Sequence, residues 1–296
     1  MKIAIIGTNG FLSTTIAKYA IDKGWALDMF GLDKPTQHSY RHFYSIDLTS
    51  GYIEVDKLCE ADIIVYAVGA GIQSNLKESA DLIYALNVNV PVRICNMLKQ
   101  VDYKGVFVTF GSYFELGETT LNRPATEDDI INANAPAPTD YVVSKRMLTR
   151  FVTSYKHDFT HWHFILPTIY GPGENPMRLI PYTISAIRNG ENLHFTSGEQ
   201  VRQYLCASEV PVVLDKAYMH SLSSGIYNIA GSGTLTVKQI VVQICEAYGK
   251  QMSPDWFGGV QRMDTNMRYL ALTKDVLLEK IGFSATLKMM DQINCY

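Results

Sequence analysis

The sequence predicts an α/β protein in which a doubly wound parallel sheet is followed by a smaller mixed α/β lobe. Short apolar runs alternate with segments of helical length through the first half of the chain, which is the βαβ order of a parallel sheet. A glycine-containing turn follows the first apolar run, and the amino-acid composition changes after Leu166, where prolines and glycines cluster. We therefore expect a large domain over residues 1–170 and a substrate lobe built mainly from 171–296, with some of its segments returning to the large domain.

Apolar runs and helix-stop residues locate the elements of the first domain. Buried strands are expected where short apolar runs occur, at Ile3–Ile6, Ala26–Leu32, Ile63–Val68, Val106–Phe110 and His163–Leu166. The first helix is expected over Leu12–Lys23, because Gly24 is a typical helix stop. A second helical region covers Ala80–Gln100, and Pro91 marks a break or a new start within it.

The second half of the chain opens with a loop-like stretch and then contains two recognisable elements. Prolines and glycines between Pro167 and Pro181 indicate a domain boundary or an active-site loop. Gly225–Gly231 predicts a strand bounded by glycines. Thr236 and Gln239 fit a capping box ahead of an apolar helix, Ile240–Tyr248.

Composition and charge indicate a globular protein whose partner is a small molecule. Of the 296 residues, 47% are hydrophobic and 19% are charged, which argues against extended disorder. The formal net charge is -3 and no long basic run occurs, so we expect neither a nucleic acid nor a membrane as partner. No apolar run approaches the ~20 residues that span a bilayer.

Cysteine usage and the start of the chain favour a cytoplasmic location. The five cysteines are scattered and form no CxxC pair, which argues against a disulfide framework and a zinc site. Met1 leads straight into the first predicted strand, so no signal peptide is expected. His161 and His163 would share one face of a strand, but a third ligand is not evident, and no metal site is expected.

The turn after the first strand has the pattern of a dinucleotide-binding turn. Gly7 and Gly10 allow a tight turn and the close approach of a pyrophosphate, and the helix that follows offers unpaired N–H groups to it. Ser13 takes the place of the usual third glycine. A sheet that opens with this turn is of the Rossmann type, and NAD or NADP is the expected cofactor.

The residues after the second strand bear on the choice between NAD and NADP. An acidic residue there binds the ribose hydroxyls of NAD, and Asp33 is the candidate, about two residues beyond the commonest spacing. Lys34, Arg41 and His42 could instead meet the 2′-phosphate of NADP. Both cofactors stay open, with NAD preferred. Asp47–Leu48, after a third short strand, could bind the adenine or form a surface turn.

A tyrosine and a lysine four residues apart form the candidate proton-transfer unit. Tyr141 and Lys145 would lie on one face of a helix. The ammonium is expected to lower the pKa of the phenol from ~10 towards neutrality, so that the phenol can exchange a proton as hydride moves. Ser112 follows a predicted strand and is placed to orient the substrate oxygen, because such loops form the crevice of a parallel sheet.

Taken together, the motifs resemble those of the extended short-chain dehydrogenase/reductase family. Within it, the chain is similar to the NAD-dependent epimerase/dehydratase group, which acts on nucleotide-linked sugars. The resemblance covers nearly the whole chain. The similar segments are Gly7–Ser13 (TGxxGFxG in the family), Asp62–Val68 (DxVxHxAA), Gly111–Gly117 (SSxxVYG), Pro167–Gly173 (the loop beside the nicotinamide), Arg202–Leu205 (RxFxxV) and Tyr227–Ala230 (YNxG).

The resemblance implies a role for residues of each motif. It makes Ser112 the catalytic hydroxyl beside Tyr141 and Lys145, and Ser112, Tyr113 and Arg202 substrate contacts. It also implies a homodimer. The expected cofactor contacts are Gly7, Asn9, Gly10, Phe11, Leu12, Asp33, Asp47, Leu48, Ala67, Val68, Gly69, Asn87, Tyr141, Lys145, Pro167 and Ile169.

Departures from the family's motifs narrow the reaction. Tyr113 and Phe114 stand where the family's dehydratases carry Asp and Glu, so dehydration is not expected. No cysteine falls beside Ser112, as one does in relatives that make fucose-type sugars, so C3/C5 epimerisation is not expected either. Ile165 and Leu116 replace an Arg and a Tyr that many relatives carry, which predicts a divergent substrate pocket.

The leading hypothesis is an NAD(P)-dependent oxidoreductase that reduces the keto group of a nucleotide-linked 4-keto-6-deoxy sugar. A nucleotide-sugar 4-epimerase with tightly bound NAD would use the same residues and remains the alternative. A non-enzymatic protein that senses dinucleotides is a third hypothesis, because this fold also serves regulators. It is disfavoured because the chain retains both Tyr141 and Lys145.

Overall fold

The computed structural model describes residues 1–50, 52–72 and 76–296. Its strands are β1 (Lys2–Ile6), β2 (Ala26–Gly31), β3 (His42–Ser45), β4 (Ile63–Tyr66), β5 (Val106–Ser112), β6 (Thr160–Leu166), β7 (Thr168–Tyr170), β8 (Val201–Cys206), β9 (Gly225–Asn228), β10 (Thr234–Thr236) and β11 (Tyr269–Leu270). Its α-helices are α1 (Phe11–Asp22), α2 (Val55–Cys59), α3 (Ala80–Tyr84), α4 (Val90–Gln100), α5 (Glu127–Ile131), α6 (Asp140–Ser154), α7 (Leu179–Asn189), α8 (Glu209–Met219), α9 (Val237–Ala247) and α10 (Val276–Lys280).

Seven parallel strands form the central sheet in the order β3-β2-β1-β4-β5-β6-β9. This arrangement, with helices on both faces, confirms the predicted Rossmann-type fold. The strand order reverses between β1 and β4. In open sheets of this kind, ligands bind in the crevice at the carboxyl ends of the strands beside such a reversal.

Alternate residues of the central strands pack in two separate hydrophobic cores. On β1, Ile3 and Ile5 pack in a core with residues of α1 and α8, whereas Ala4 and Ile6 pack in a second core with residues of α4. A strand covered on both faces needs apolar residues in succession, which explains why the strands appear in the sequence as continuous apolar runs.

The second half of the chain contributes to both parts of the molecule. β9 pairs with β6 at the edge of the central sheet. The helix α8 packs against α1, and Tyr19 donates a hydrogen bond of 2.8 Å to Asp215 across that contact. The smaller, mixed sheet is built around β8, which pairs with β7 and β11 in parallel and with β10 antiparallel. Helices α7 and α9 supply its core.

Several predicted boundaries shift for identifiable reasons. β4 ends at Tyr66, earlier than predicted, and the Val68 side chain turns towards the glycine turn after β1. β6 begins at Thr160, earlier than the predicted start at His163, because His161 is also a buried strand residue, which its polarity concealed from the apolar pattern. β5 continues to Ser112, so the hydroxyl stands on the end of the strand.

The predicted helical region over 80–100 is divided into three parts. A π-helical turn, Ala85–Asn89, joins α3 to α4, and Pro91 lies in the first turn of α4 as predicted for a new start. Such turns often occur at functional sites. The capping box of Thr236 and Gln239 is present at the start of α9. Within the described ranges, no helix is both long enough and apolar enough to span a bilayer.

Candidate active site

The turn between β1 and α1 requires glycine at position 7. Gly7 has φ +103°, and a Cβ there would meet Val68 Cγ2 at 3.0 Å, so both conformation and space exclude a side chain. Gly10 is the N-cap of α1, and within the described part of the chain no side chain caps this helix. The N–H groups of Phe11 and Leu12 at its start therefore suit an anionic pyrophosphate. The cradle fits a dinucleotide.

Asn9 connects the glycine turn to the loop after β2. Its Nδ2 donates to the Lys34 carbonyl at 3.2 Å, and its Oδ1 accepts from the Thr36 N–H at 3.2 Å. Asp33 lies exposed in this loop. Ser13, at the place of the third family glycine, is buried and donates a 2.9 Å hydrogen bond to a backbone carbonyl one turn earlier.

Two of the basic residues proposed for a 2′-phosphate are engaged elsewhere. Arg41 holds the buried Asp28 carboxylate through Nε at 3.0 Å and a terminal guanidinium nitrogen at 2.8 Å, and His42 Nδ1 lies 3.2 Å from it. Against the effect of burial, hydrogen bonds from Arg41 and Lys2 lower the pKa of Asp28. The role of Lys34, Arg41 and His42 towards a 2′-phosphate stays a prediction, and Asp28 competes for two of the three.

Asp47 and Leu48 follow β3 on the side of the sheet expected for the adenine. Asp47 is exposed and accepts hydrogen bonds from the Thr49 N–H (2.9 Å) and hydroxyl (2.6 Å). The Leu48 carbonyl accepts a 2.9 Å bond from Arg93. Asp47 is therefore at the surface and Leu48 packs in the second core, and their contact with an adenine stays a prediction.

Asn87 fastens the loop after β4 to the catalytic helix. Its side chain is buried, exchanges two 2.9 Å hydrogen bonds with the backbone of Ala70 and donates one of 3.0 Å to Ser144 on α6. The same loop holds Gly69, which is exposed, after the half-buried residues Ala67–Val68. The Asn87 amide thus shapes the crevice from within the protein.

Ser112, Tyr141 and Lys145 are brought together at the carboxyl end of β5. Each is buried, and Tyr141 and Lys145 lie one turn apart on α6. The Lys145 ammonium donates a 2.8 Å hydrogen bond to the Phe110 carbonyl, and Nζ lies 5.8 Å from the centre of the Tyr141 ring. The Ser112 side chain lies near the Tyr141 hydroxyl and opposes the larger effect of burial, which raises the pKa of Tyr141. The serine and tyrosine hydroxyls can therefore act on one substrate oxygen.

The expected lowering of the Tyr141 pKa is wrong in this structure. Burial raises the pKa of Tyr141 to about 12, against the smaller effect of Ser112. Burial also lowers the pKa of Lys145 to about 8, although nearby Glu115 raises it. Desolvation disfavours both charged forms, and this outweighs the lysine-to-phenol attraction that the sequence suggested. At neutral pH the site holds a neutral phenol and an ammonium.

The two remaining substrate candidates are held by internal contacts. Tyr113 is wholly buried, and its hydroxyl lies 2.6 Å from Thr168 Oγ1 in β7. Arg202, buried on β8, donates a 2.6 Å bond to the Met267 carbonyl and lies 3.5 Å from the Asp264 carboxylate. Their roles in binding substrate stay predictions.

The segment predicted to lie beside the nicotinamide joins the central sheet to the smaller one. Pro167 separates β6 from β7, and Ile169 packs against the core that contains β1. The two residues therefore lie where the last central strands end, beside Ser112, which pairs with Leu166.

Sequence reasoning missed two charged residues of the site. Arg178, the N-cap of α7, lowers the pKa of Tyr141 and lies 3.3 Å from the Glu174 carboxylate. Glu115 is wholly buried, and its Oε1 accepts a 2.8 Å bond from the Ser112 N–H in a capping box. The S-x-x-E spacing of 112 and 115 was a usable signal for the second; for Arg178 only its place after the Pro/Gly-rich loop was available.

Comparisons with known proteins agree with this geometry. The family model "NAD dependent epimerase/dehydratase family" matches residues 3–230. The CDP-abequose synthase of Salmonella muenchen is 22% identical over 292 residues, which cover 96% of this chain and 92% of that protein.

Solved structures show the same fold. MoeE5 in complex with UDP-glucuronic acid and NAD has a TM-score of 0.83 at 19% identity, over 100% of this chain and 97% of its own. The UDP-glucose 4-epimerase of Thermus thermophilus in complex with NAD has a TM-score of 0.82 at 16% identity, with the same coverage of 100% and 97%. Because the family model extends over most of the sequence, from the first strand to the last strand of the central sheet, the chain belongs to the NAD-dependent epimerase/dehydratase family.

Proposed function

We propose that this protein reduces the keto group of a nucleotide-linked 4-keto-6-deoxy sugar at the expense of NAD(P)H. The arrangement of Ser112, Tyr141 and Lys145 supports a carbonyl reaction, since it joins two hydroxyl groups to a buried ammonium. The names of the relatives support the substrate class. One is a synthase of a CDP-linked sugar, and MoeE5 was solved with a UDP-linked sugar.

NAD is the proposed cofactor. The Gly7 cradle and the uncapped start of α1 fit a dinucleotide, and two related structures contain NAD. Asp33 is exposed at the end of β2, whereas Arg41 and His42 are engaged by Asp28 and so do not favour a 2′-phosphate.

The residues of the site have separate tasks in this reaction. A bound nicotinamide cofactor supplies the hydride to the keto carbon. Ser112 hydrogen-bonds the keto oxygen, and Tyr141 donates its phenolic proton to that oxygen as negative charge develops. The Lys145 ammonium, fixed on the Phe110 carbonyl, stabilises the phenolate that Tyr141 becomes. Arg178, half-buried near Tyr141, is the proposed partner of the substrate's diphosphate.

The grouping of Ser112, Tyr141 and Lys145 at the end of β5 is the observation that carries the assignment to a carbonyl reaction. Burial raises the pKa of Tyr141, which agrees with a phenol that donates a proton to the developing alkoxide. A 4-epimerase must first remove a proton from the substrate hydroxyl with the same tyrosine. The epimerase remains the alternative, and net consumption of NADH separates the two reactions.

The residues after Ser112 argue against dehydration. The dehydratase positions hold Tyr113, which is buried on Thr168, and Phe114. The nearby acid, Glu115, is wholly buried and bound to the Ser112 N–H. These side chains do not provide the acid and base that elimination of water requires.

Cofactor consumption against CDP-, UDP-, TDP- and GDP-linked 4-keto-6-deoxy sugars tests the proposal. We expect stoichiometric oxidation of NADH, faster than that of NADPH, with one of these substrates. Interconversion of 4-hydroxy sugars on enzyme-bound NAD, without net oxidation, would instead identify the epimerase. Bound dinucleotide with no turnover across the panel would support the sensing protein.

We propose that the two parts of the chain bind different molecules. Residues 1–170 bind the dinucleotide, and most of 171–296 bind the sugar nucleotide, while β9 and α8 belong to the large domain. We also propose a homodimer in the cytoplasm, to be tested by light scattering and by localisation of a tagged chain.

A further inference from the structure

Five polar side chains form a continuous group inside the large domain. Each is at most 1% exposed. They come from four segments: β5, the turn after it, α6 and β6. We call them the buried polar chain, which consists of Glu115, Thr149, His163, Thr109 and His161. Polar groups are costly to bury unless they are hydrogen-bonded, so the arrangement of their bonds matters.

Hydroxyl groups alternate with imidazoles along the buried polar chain. Thr109 Oγ1 lies 2.9 Å from His161 Nε2 and 2.7 Å from His163 Nδ1. Thr149 Oγ1 lies 2.9 Å from His163 Nε2. The Thr149 hydroxyl also lies near the Glu115 carboxyl group: burial raises the pKa of that carboxyl, and Thr149 opposes this effect. Both nitrogens of His163 are therefore bonded to hydroxyl groups.

Gly111 makes the approach of Glu115 to His163 feasible. A Cβ on Gly111 would lie 2.6 Å from Glu115 Oε1 and 2.7 Å from His163 Nε2. These two atoms thus occupy the space that a side chain at 111 would need, and the absence of that side chain brings the acid next to the imidazole.

The hydrogen atoms of the buried polar chain have two self-consistent arrangements. With Glu115 ionised, Thr149 donates to it, and both histidines carry their proton on Nε2. With Glu115 protonated, every donor reverses, and both histidines carry their proton on Nδ1. In each arrangement a neutral imidazole has one donor and one acceptor nitrogen. The conversion adds one proton at His161 Nδ1, moves each intervening proton by one hydrogen bond and leaves one proton on Glu115.

Both histidines are suited to stay neutral while protons pass. Burial lowers the pKa of His161 to about 3, and burial lowers the pKa of His163 well below its usual value. Neighbouring His157 lowers the first further, and Lys145 contributes to the second. Neither imidazole therefore holds an extra proton at neutral pH.

One end of the buried polar chain lies beside a cavity that opens to solvent. His161 lines this cavity of about 760 Å³, together with Lys99, Lys156, His157 and Asp158. The volume is ample for water. His161 Nδ1 is itself buried and has no hydrogen-bond partner among the residues that the structure describes. It is the atom to which a water molecule that moves in from the cavity would pass a proton.

The other end of the buried polar chain is Glu115, which lies behind the proposed catalytic residues. Burial raises the pKa of Glu115 to about 7, and its Oε2 has no hydrogen-bond partner in the described ranges. The charged and titratable groups around it are His163 on β6 and Tyr141, Lys145 and Arg146 on α6. Ionised Glu115 raises the pKa of both Tyr141 and Lys145.

We propose that the buried polar chain is a proton relay that couples the cavity at His161 to the charge of Glu115 behind the catalytic pair. Glu115 is then a positioning residue, which acts through Tyr141 and Lys145 and does not touch substrate. This use of the relay in turnover rests on the proposed function. The relay itself exists in the free protein and can be tested without substrate.

A rapid drop in pH, followed by infrared spectroscopy of the Glu115 carboxyl band, measures the relay directly. The band is identified by its loss in Glu115→Gln. Thr109→Val breaks the relay and Thr109→Ser preserves it. We expect the valine variant to protonate Glu115 about 10²-fold more slowly than the serine variant, the low end of what positioned proton carriers contribute. Equal rates in the two variants would overturn the proposal.

The tautomers of the histidines give a second, independent measurement. In protein labelled with ¹⁵N-histidine, we expect His161 and His163 to change together from Nε2–H to Nδ1–H as the pH falls through the Glu115 pKa of about 7. Thr149→Val is expected to abolish the joint change, and Thr149→Ser to retain it. Tautomers that stay fixed in the wild-type protein, or that become imidazolium one by one, would contradict the relay. Neither measurement depends on enzyme activity.

Discussion

Three ionisable side chains in the active site have pKa values that burial has moved. Burial raises the pKa values of the Tyr141 phenol and the Glu115 carboxyl group, and it lowers the pKa of the Lys145 ammonium. In each case the neutral form gains, as desolvation requires. The proposed proton donor, Tyr141, is therefore protonated at neutral pH, whereas Glu115 and Lys145 titrate close to neutral pH.

Replacing Tyr141 by Phe removes the proton donor and leaves the ring. We expect kcat with a 4-keto sugar nucleotide to fall by about 10²- to 10⁴-fold, the range attributed to a positioned acid. NADH affinity should change little. The matched control is Tyr218→Phe on α8, in another part of the molecule, which should keep full activity. Near-full turnover by the Tyr141 variant would exclude the mechanism.

The rate should also depend on the proton of Lys145. With a pKa of about 8, Lys145 loses its charge as the pH rises through that value. The phenolate formed by Tyr141 is then no longer stabilised, so we expect kcat/KM to decline above about pH 8, since this parameter reports the free enzyme. In Lys145→Arg the decline should move to higher pH. A profile that is flat through this region in the wild-type protein would contradict the assignment.

Glu115 should make stability fall with rising pH. Its pKa is 4.5 in the unfolded chain and about 7 in the fold, so its contribution is fully present below 4.5 and is lost as the pH rises through 7. The shift corresponds to about 3 kcal/mol. We expect urea unfolding of Glu115→Gln to lack this part of the pH dependence. A parallel dependence in both proteins would show that Glu115 does not have the raised pKa.

Residues in local motifs were predictable, whereas those defined by distant partners were not. Ser112, Tyr141 and Lys145 follow from spacing and from the strand and helix that carry them. The burial of His161 could not be foreseen, because it depends on the Thr109 hydroxyl of β5, far away in sequence. The hydroxyl partners of His163 on β5 and α6 could not be foreseen either. The direction of the Tyr141 pKa was missed for a related reason, since burial is a property of the whole fold.

At the scale of elements, the strand-turn-helix unit at the start of the chain is the best determined part of the site. Its signals are local: an apolar strand, a glycine with positive φ and a helix that begins directly after it. The π-helical turn before α4 had no such signal. A proline predicts a helix start but not the extra residue in the preceding turn, which positions Asn87 against Ala70 and Ser144.

Gly7→Ala tests this element. The positive φ costs an L-residue about 1–2 kcal/mol, and the added methyl group meets Val68 at 3.0 Å. We expect NAD to bind about tenfold more weakly, the equivalent of about 1.4 kcal/mol, as measured by calorimetry. Gly233→Ala is the control, because a Cβ there meets nothing within 4 Å. Unchanged affinity in the Gly7 variant would remove the turn from the cofactor site.

At the scale of the whole molecule, the chain returns to its first domain after building the second. β9 completes the central sheet, and Val213 and Leu214 of α8 enter the core that also contains α1. The sequence predicted strands of the right type here, but the pairing of β9 with β6 could not be derived from local pattern, because it joins segments about 60 residues apart across an intervening lobe.

A fragment of residues 1–170 should therefore fail to fold cooperatively. It lacks β9 and α8, so the edge of β6 and part of one core would be exposed to water. We expect a broad urea transition and binding of a hydrophobic dye, compared with a sharp transition for the full chain. Cooperative unfolding of the fragment would show that the large domain is complete at residue 170.

Gly111 constrains how this protein can have diverged from its relatives. Because a methyl group at 111 would meet Ile165 Cδ1 at 2.5 Å, Glu115 Oε1 at 2.6 Å and His163 Nε2 at 2.7 Å, a larger residue at 111 requires the ends of these side chains to move. We expect relatives with a larger residue at 111 to carry smaller or different side chains at one or more of the positions 115, 163 and 165. Covariation among aligned relatives, which needs no purified protein, would detect this dependence.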